Sequence, residues 1–196
     1  MNQKRPLILA SQSPRRSQLL RESGFQFQVC PLDVDESFPE TMAPESVAPY
    51  LAEKKALAGK HLLTNRAILL TADSVVIKGG VVYNKPADAE EAYQMIEELA
   101  GAQHTVVTGV CLLAEEKQAV FSGVTQVWME EMSPEEIRFY VDTYMPTDKA
   151  GGYGAQEWIG LCKINRMQGT YPNVMGLPVN LVYEALKDFD FYADLK

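Results

Sequence analysis

The sequence predicts an α/β fold with a mixed central sheet flanked by helices, and three observations carry that prediction. Short apolar runs bounded by turn residues alternate with stretches of helical period along the chain, as in βα units. Two longer apolar runs, "HTVVTGVCLLA" (104–114) and "AVFSGVTQVWM" (119–129), are joined only by the polar "EEKQ", which reads as a hairpin. Finally, 46% apolar and 22% charged residues is the balance of an ordinary globular core. A purely parallel sheet fits the hairpin less well. At 196 residues the chain, 1–196, is read as a single domain with one full core.

The elements follow in order. "PLILA" gives a buried strand at 7–10, and Ser13-Pro14 opens a helix over 14–23 that Gly24 closes. "FQFQV" (25–29) alternates like a half-buried strand, and a helix spans about 44–59. "RAILLTADSVVIKGGVVYN" (66–84) reads as a buried strand, a bend at Asp73–Ser74, and a hairpin through Gly79–Gly80. "DAEEAYQMIEELAG" is an amphipathic helix ending at Gly101. After the two long strands comes a helix over 133–143, where Ser133 and Glu136 match a capping box. A glycine-rich loop, a short strand near Ile164 and a helix over 178–188 complete the pattern.

The net charge of −8 disfavours nucleic acid as a partner, since that needs a basic footprint. No stretch approaches the ~20 apolar residues that span a membrane, and no signal-peptide pattern opens the chain. Cys30, Cys111 and Cys162 are odd in number and far apart, so they are expected to be reduced, mostly buried thiols in a cytoplasm.

The first helix start poses a chemical question. "SPRR" puts Arg15 and Arg16 where the helix dipole is already positive, a cost of about 0.3–1 kcal/mol per charge. "SPEE" at 133–136 has the same Ser-Pro start followed by acids. Either the arginines bend away into water, or an anion such as a phosphate belongs at that helix start. A strand, a turn and a helix N-terminus are a common setting for nucleotide phosphates.

Other segments bear on that choice. Asp73 ends the apolar run "ILLTAD", at a sheet edge where α/β proteins bind ligands, although an Asp there also starts turns. "VDES" places Glu36 in a loop; with Asp73 it offers the oxygen ligands that Mg²⁺ or Mn²⁺ prefers. Lys54 and Lys55 lie about 100° apart on a helix, so at most one faces a site. Lys85 ends the hairpin in "YNKP", and Lys149 leads "DKAGGYGAQ", whose glycines let backbone N–H groups approach a phosphate. Neither GxxxxGK[ST] nor GxGxxG is present.

Taken together, "LASQSPRRSQLL", "VDES", "LAEKKA", "TADSVV", "NKP", "HTVVTGV", "DKAGGYGAQ" and "YPNVMGLP" resemble, in order and spacing, the Maf family of nucleotide pyrophosphatases over nearly the whole chain. Gln156 closing the glycine loop and the hydroxyl of Ser74 after Asp73 look like the family's dTTP/UTP pyrophosphatase branch, where Ser74 is most often threonine. The resemblance implies two lobes around a cleft, similar to the inosine triphosphate pyrophosphatase fold. It implies a cytoplasmic, commonly homodimeric enzyme that uses a divalent cation to hydrolyse a nucleoside triphosphate to the monophosphate and pyrophosphate.

Residue by residue, it implies Asp73 as proton acceptor and Ser11, Arg16, Lys55, Lys85 and Lys149 as holders of the triphosphate. Arg15, Ser74 and Gln156 fall on positions linked to base choice, and Glu36 with Asp73 on the acidic, metal-facing part of the site. The chain departs from the family where a Gly-Glu pair is usual, carrying Tyr144-Met145 before "DKAGGY", which leaves Asp148 or Glu36 to supply that acid. The competing class is a nucleotide-binding regulator of septum formation without turnover, which would need the phosphate cradle but no base.

Overall fold

The computed structural model describes residues 2–64 and 66–193. In chain order the elements are β1 (Leu7–Leu9), α1 (Pro14–Glu22), β2 (Gln28–Val29), α2 (Pro44–Ala58), a 3₁₀ turn (Gly59–Leu62), β3 (Ile68–Lys78), β4 (Val81–Tyr83), α3 (Ala89–Leu99) and β5 (Gln103–Leu113). There follow β6 (Gln118–Met129), α4 (Pro134–Tyr144), a 3₁₀ turn (Ala150–Gly152), α5 (Trp158–Cys162), β7 (Ile164–Gln168), α6 (Tyr171–Val174) and α7 (Val179–Lys187).

Among the described residues, seven strands form one sheet in the order β2-β1-β3-β5-β6-β7, with β4 paired to β3. β1 runs parallel to β2 and β3, whereas the β3–β4 and β6–β7 pairs are antiparallel. The sheet is therefore mixed, as the alternation of βα units and hairpins predicts.

The chain divides into two compact units. The first comprises the described residues up to Asp73, Thr108–Gly123, and those from Gly176 onward. Its core gathers Ile8, Ala10, Ala52, Ala56, Ala67, Leu69, Cys111 and Leu113. Ala52 and Ala56 stand one turn apart on α2, and their small size lets the helix lie close to the strands. The approach is tightest at Gly109, where a Cβ would lie 2.2 Å from the Pro49 nitrogen and 2.3 Å from the Ala48 carbonyl carbon. Pro49 sits inside α2 with no N–H to donate, so the helix gives up one internal bond there. Each fully buried leucine contributes roughly 1.5–3 kcal/mol. An exposed ion pair such as Lys4–Asp190 contributes ~0–1 kcal/mol. Packing, not surface charge, holds this unit.

The second unit comprises Ser74–Val107 and Val124–Met175. α3 and α4 bury Ala92, Ile96, Leu99, Ile137, Tyr140 and Val141 with Val76, Val106 and Val127 of the strands. α3 starts at Asp88, whose carboxylate accepts the Glu91 N–H at 2.9 Å. α4 starts with the predicted capping box: Ser133 Oγ accepts the Glu136 N–H, and the Glu136 carboxylate accepts the Ser133 N–H.

Several expectations need correction. The strand read into "FQFQV" shortens to Gln28–Val29, both exposed. Phe25 is buried, yet it packs its ring near Phe191 (centroids 6.1 Å apart) instead of joining a ladder. β3 runs unbroken through Asp73–Ser74, because ladder pairing with β1 at Ile68–Leu70 before it and with β4 at Val76–Lys78 after it outweighs the local turn preference of an Asp-Ser pair. Ser13 holds the N-cap position of α1 with an extended backbone, but its side chain makes no cap bond. Of the three thiols only Cys111 is buried; Cys30 is half-buried and Cys162 is exposed on α5.

Candidate active site

In the first unit, the functional side chains gather past the end of β1 and beside the middle of β3. Thr71 and Asp73 are two apart on β3 and so point to the same face. Ala52 and Lys55 are one turn apart on α2. Thr71 Oγ1 donates to the Ala52 carbonyl at 2.6 Å, which fixes the register of strand against helix. The next pair in that register is Asp73 with Lys55, and their side chains form an ion pair. Lys55 Nζ also reaches Glu36 Oε1 at 2.7 Å, so one ammonium bridges both carboxylates.

The loop that carries Glu36 is tied down by the neighbouring lysine. Lys54 Nζ lies 2.9 Å from Asp35 Oδ2 and 3.0 Å from the Ser37 carbonyl. Hydrogen bonds from Ser37 and Lys54 hold the Asp35 carboxyl down at about 2. The pair therefore divides the work as the helical wheel predicts: Lys55 faces Asp73, and Lys54 pins the loop.

The arginine question is settled in favour of an organised helix start. Arg16 does not turn out into water. Its Nε donates to the Gly176 carbonyl at 2.8 Å and its Nη1 to Ser11 Oγ at 3.3 Å. Ser11 Oγ also accepts the Ser13 N–H at 3.1 Å, which leaves its own O–H to donate elsewhere. Loss of solvent around the Arg16 guanidinium lowers its pKa, while the Asp73 and Glu36 carboxylates oppose that shift. Arg15 is half-buried beside it. Ser11, Arg16, Glu36, Lys55 and Asp73 thus form one charged cluster in this unit.

The second unit carries the other predicted residues. Ser74 begins it, and the pleat turns its side chain to the face opposite Asp73. Lys85 is exposed in the segment after β4. That segment meets the glycine loop at its base, where the Gly151 N–H donates to the Asn84 carbonyl at 3.0 Å. Gly151 takes φ +70°, and a Cβ there would lie 2.9 Å from Val76, so the loop needs glycine at this point. Lys149 is buried and pairs with Asp148 at 2.7 Å and with Glu157 Oε1 at 3.1 Å.

Glu157 was not singled out from the sequence, although an acid directly after Gln156 was there to be noticed. Its Oε1 accepts Gln156 Nε2 at 3.3 Å as well as the Lys149 ammonium. Its Oε2 accepts the hydroxyl of Tyr140, which is fully buried on α4. The Tyr140 oxygen in turn accepts the Gly154 N–H at 2.9 Å. Burial and the adjoining carboxylate raise the Tyr140 phenol well above its ordinary value, so it remains a donor. Where the family usually has Gly-Glu, Tyr144 ends α4 with its ring stacked on Tyr140 (centroids 4.9 Å), and Met145 adopts the left-handed C-cap conformation at φ 44°.

The sequence model of the Maf-like protein family matches residues 6–189. The chain belongs to this family. This Maf-like chain is 45% identical over 186 residues to a dTTP/UTP pyrophosphatase of Porphyromonas gingivalis, covering 93% of the chain and 94% of that relative. It is 44% identical over 186 residues to a dTTP/UTP pyrophosphatase of Phocaeicola vulgatus, covering 94% and 96%. Among solved structures, the Staphylococcus aureus Ham1 protein superimposes with a TM-score of 0.47 at 14% identity, covering 65% of this Maf-like chain and 73% of that one. No helix among the described residues of the Maf-like chain is long and apolar enough to cross a membrane.

Proposed function

We propose that this Maf-like protein hydrolyses nucleoside triphosphates, with dTTP and UTP preferred, to the nucleoside monophosphate and pyrophosphate. The observation that carries the reading is the cluster in the first unit: a buried mid-strand carboxylate, Asp73, beside Lys55 and Arg16, with Ser11 bonded to Arg16 at a helix start. Phosphoryl transfer asks mainly for positioning and charge neutralisation, and this cluster supplies both. A regulator without turnover would need the cations but not the buried carboxylate.

In this reading Asp73 orients and deprotonates the water that attacks the α-phosphorus. Lys55 holds Asp73 until a substrate phosphate draws its ammonium away, which frees the carboxylate to accept a proton. Arg16 offsets the charge that leaves on pyrophosphate, a role the family resemblance also gives to Lys85 and Lys149. Ser11 Oγ has its proton free to donate to a phosphate oxygen. The arginines at the start of α1 then have a purpose, because the phosphates bind at the positive end of the helix.

A divalent cation fits the donor chemistry. Glu36 and Asp73 are hard oxygen ligands that already converge on a positive charge, the Lys55 ammonium. Among the described residues no group of three His, Cys, Asp or Glu side chains is placed to hold a metal, so phosphate oxygens and waters would complete the shell, as Mg²⁺ prefers. Bound there, Mg²⁺ or Mn²⁺ would supply charge neutralisation on the phosphates.

For base choice, the Gln156 amide matches the O4 acceptor and N3 donor of uracil and thymine. The family resemblance adds Arg15, whose donors cannot reverse, and the Ser74 hydroxyl to the positions linked to base choice. The family's homodimer and cytoplasmic location are part of the proposal; three unpaired thiols suit a reducing compartment.

The test is hydrolysis of dTTP and UTP in ¹⁸O-labelled water with Mg²⁺. Label is expected in the nucleoside monophosphate, with unlabelled pyrophosphate as co-product. Orthophosphate and a nucleoside diphosphate as main products would refute the reading.

A further inference from the structure

A glutamine amide reads a base ambiguously. Turned one way it offers N–H and C=O in one order, turned the other way it reverses them, and the two ends are nearly identical in shape. A Gln156 free to turn would accept uracil and cytosine alike. In this structure it is not free to turn.

The group that restrains it is Glu157. A carboxylate has only acceptors, so the Gln156 end that meets Oε1 has to be Nε2, and the two are 3.3 Å apart. Glu157 cannot swing aside, because Lys149 holds the same Oε1 at 3.1 Å and the buried Tyr140 hydroxyl holds Oε2. The other end of the amide is thereby determined. Gln156 Oε1 is buried and has no hydrogen-bond partner, an acceptor waiting for a donor.

We infer that Glu157 is a specificity-determining positioning residue, which locks Gln156 with its carbonyl as the unpaired end and so selects pyrimidines that carry an N–H at N3. The inference rests on the proposed reading of Gln156 as the group that faces the base. Uracil and thymine donate from N3 to the waiting oxygen. Cytosine has an acceptor at N3, so two acceptors would face each other with both left unpaired, which is the situation in which a polar site rejects an analogue strongly. The same carboxylate also positions Lys149, which acts on every substrate equally.

The experiment compares kcat/KM for UTP, dTTP and CTP in the full chain and in Glu157→Ala. Alanine removes the acceptor that meets Gln156 Nε2, so nothing at that position dictates which end of the Gln156 amide is left unpaired. The UTP-to-CTP ratio is expected to fall by about fivefold or more, mainly through a gain on CTP. Any loss from a loosened Lys149 lowers all substrates by a common factor and cancels in the ratio. Tyr140→Phe keeps the ring in the core and removes only the donor to Oε2, so it should lower the ratio in the same direction by less. It serves as the second reading if Glu157→Ala folds poorly.

A ratio that survives both substitutions in a protein whose wild type does discriminate overturns the role of Glu157 and leaves base reading by Gln156 standing. Equal kcat/KM for UTP and CTP in the wild type overturns both.

Discussion

His104 offers a quantitative test of the packing around the glycine loop. Its imidazole is 2% exposed, its Nε2 lies 2.6 Å from the Tyr153 hydroxyl, and its Nδ1 is buried without a partner. Burial, with a smaller contribution from the Lys78 ammonium, lowers the imidazole from 6.5 to about 4. Below pH 6.5 the unfolded chain takes up a proton that the folded chain refuses until about pH 4. The stabilisation is thus fully present above pH 6.5 and is lost as pH falls through that window. At about 1.4 kcal/mol per pH unit the whole window amounts to about 3 kcal/mol, of which about 2 kcal/mol is gone by pH 5.

The perturbation is His104→Gln, which keeps a polar partner for Tyr153 but does not titrate. Urea unfolding of both proteins at pH 8 and pH 5 gives two stability differences, and subtracting one from the other cancels every group they share. The wild type should lose about 2 kcal/mol more than the variant on acidification. Equal pH dependence of stability in the two proteins would refute the assignment of a buried, neutral His104.

Three further predictions follow from the same structure. Asp73→Asn keeps size but removes the base, so turnover should fall about 10²–10⁴-fold while nucleotide affinity, measured by calorimetry, changes far less; an equal loss of both would make Asp73 an anchor rather than a base. Gly109→Ala would drive a Cβ to 2.2 Å from the Pro49 nitrogen and should cost about 3 kcal/mol or more in urea unfolding. Gly79→Ala, with open space around it but φ +58°, should cost only about 1–2 kcal/mol; reversal of that order would contradict the packing of α2 on β5. Ser133→Ala removes the capping box of α4 and should cost about 1 kcal/mol in thermal or urea unfolding.

What the amino-acid order determined by itself is whatever depends on neighbours along the chain. Period and punctuation placed the long strands, the mixed sheet and the ends of α3 and α4, because side-chain spacing and capping are local. Helical spacing alone separated Lys55 from Lys54, and the unusual "SPRR" start posed the choice between arginines in water and an anion at the helix. Tertiary structure decided whatever depends on which distant segments meet. β3 continues through Asp73–Ser74 because β1 pairs with it before that point and β4 after it, overriding a local turn preference. Phe25 is buried against a residue near the far end of the chain, so its alternation with Gln26 and Phe27 misled. Glu157 gained its role only when folding brought it to the hydroxyl of Tyr140, 17 residues earlier, and His104 acquired its low proton affinity when folding buried it beside Tyr153, 49 residues later. Such pairings carry no periodic trace, since one hydrogen bond between remote segments leaves the spacing of each unchanged.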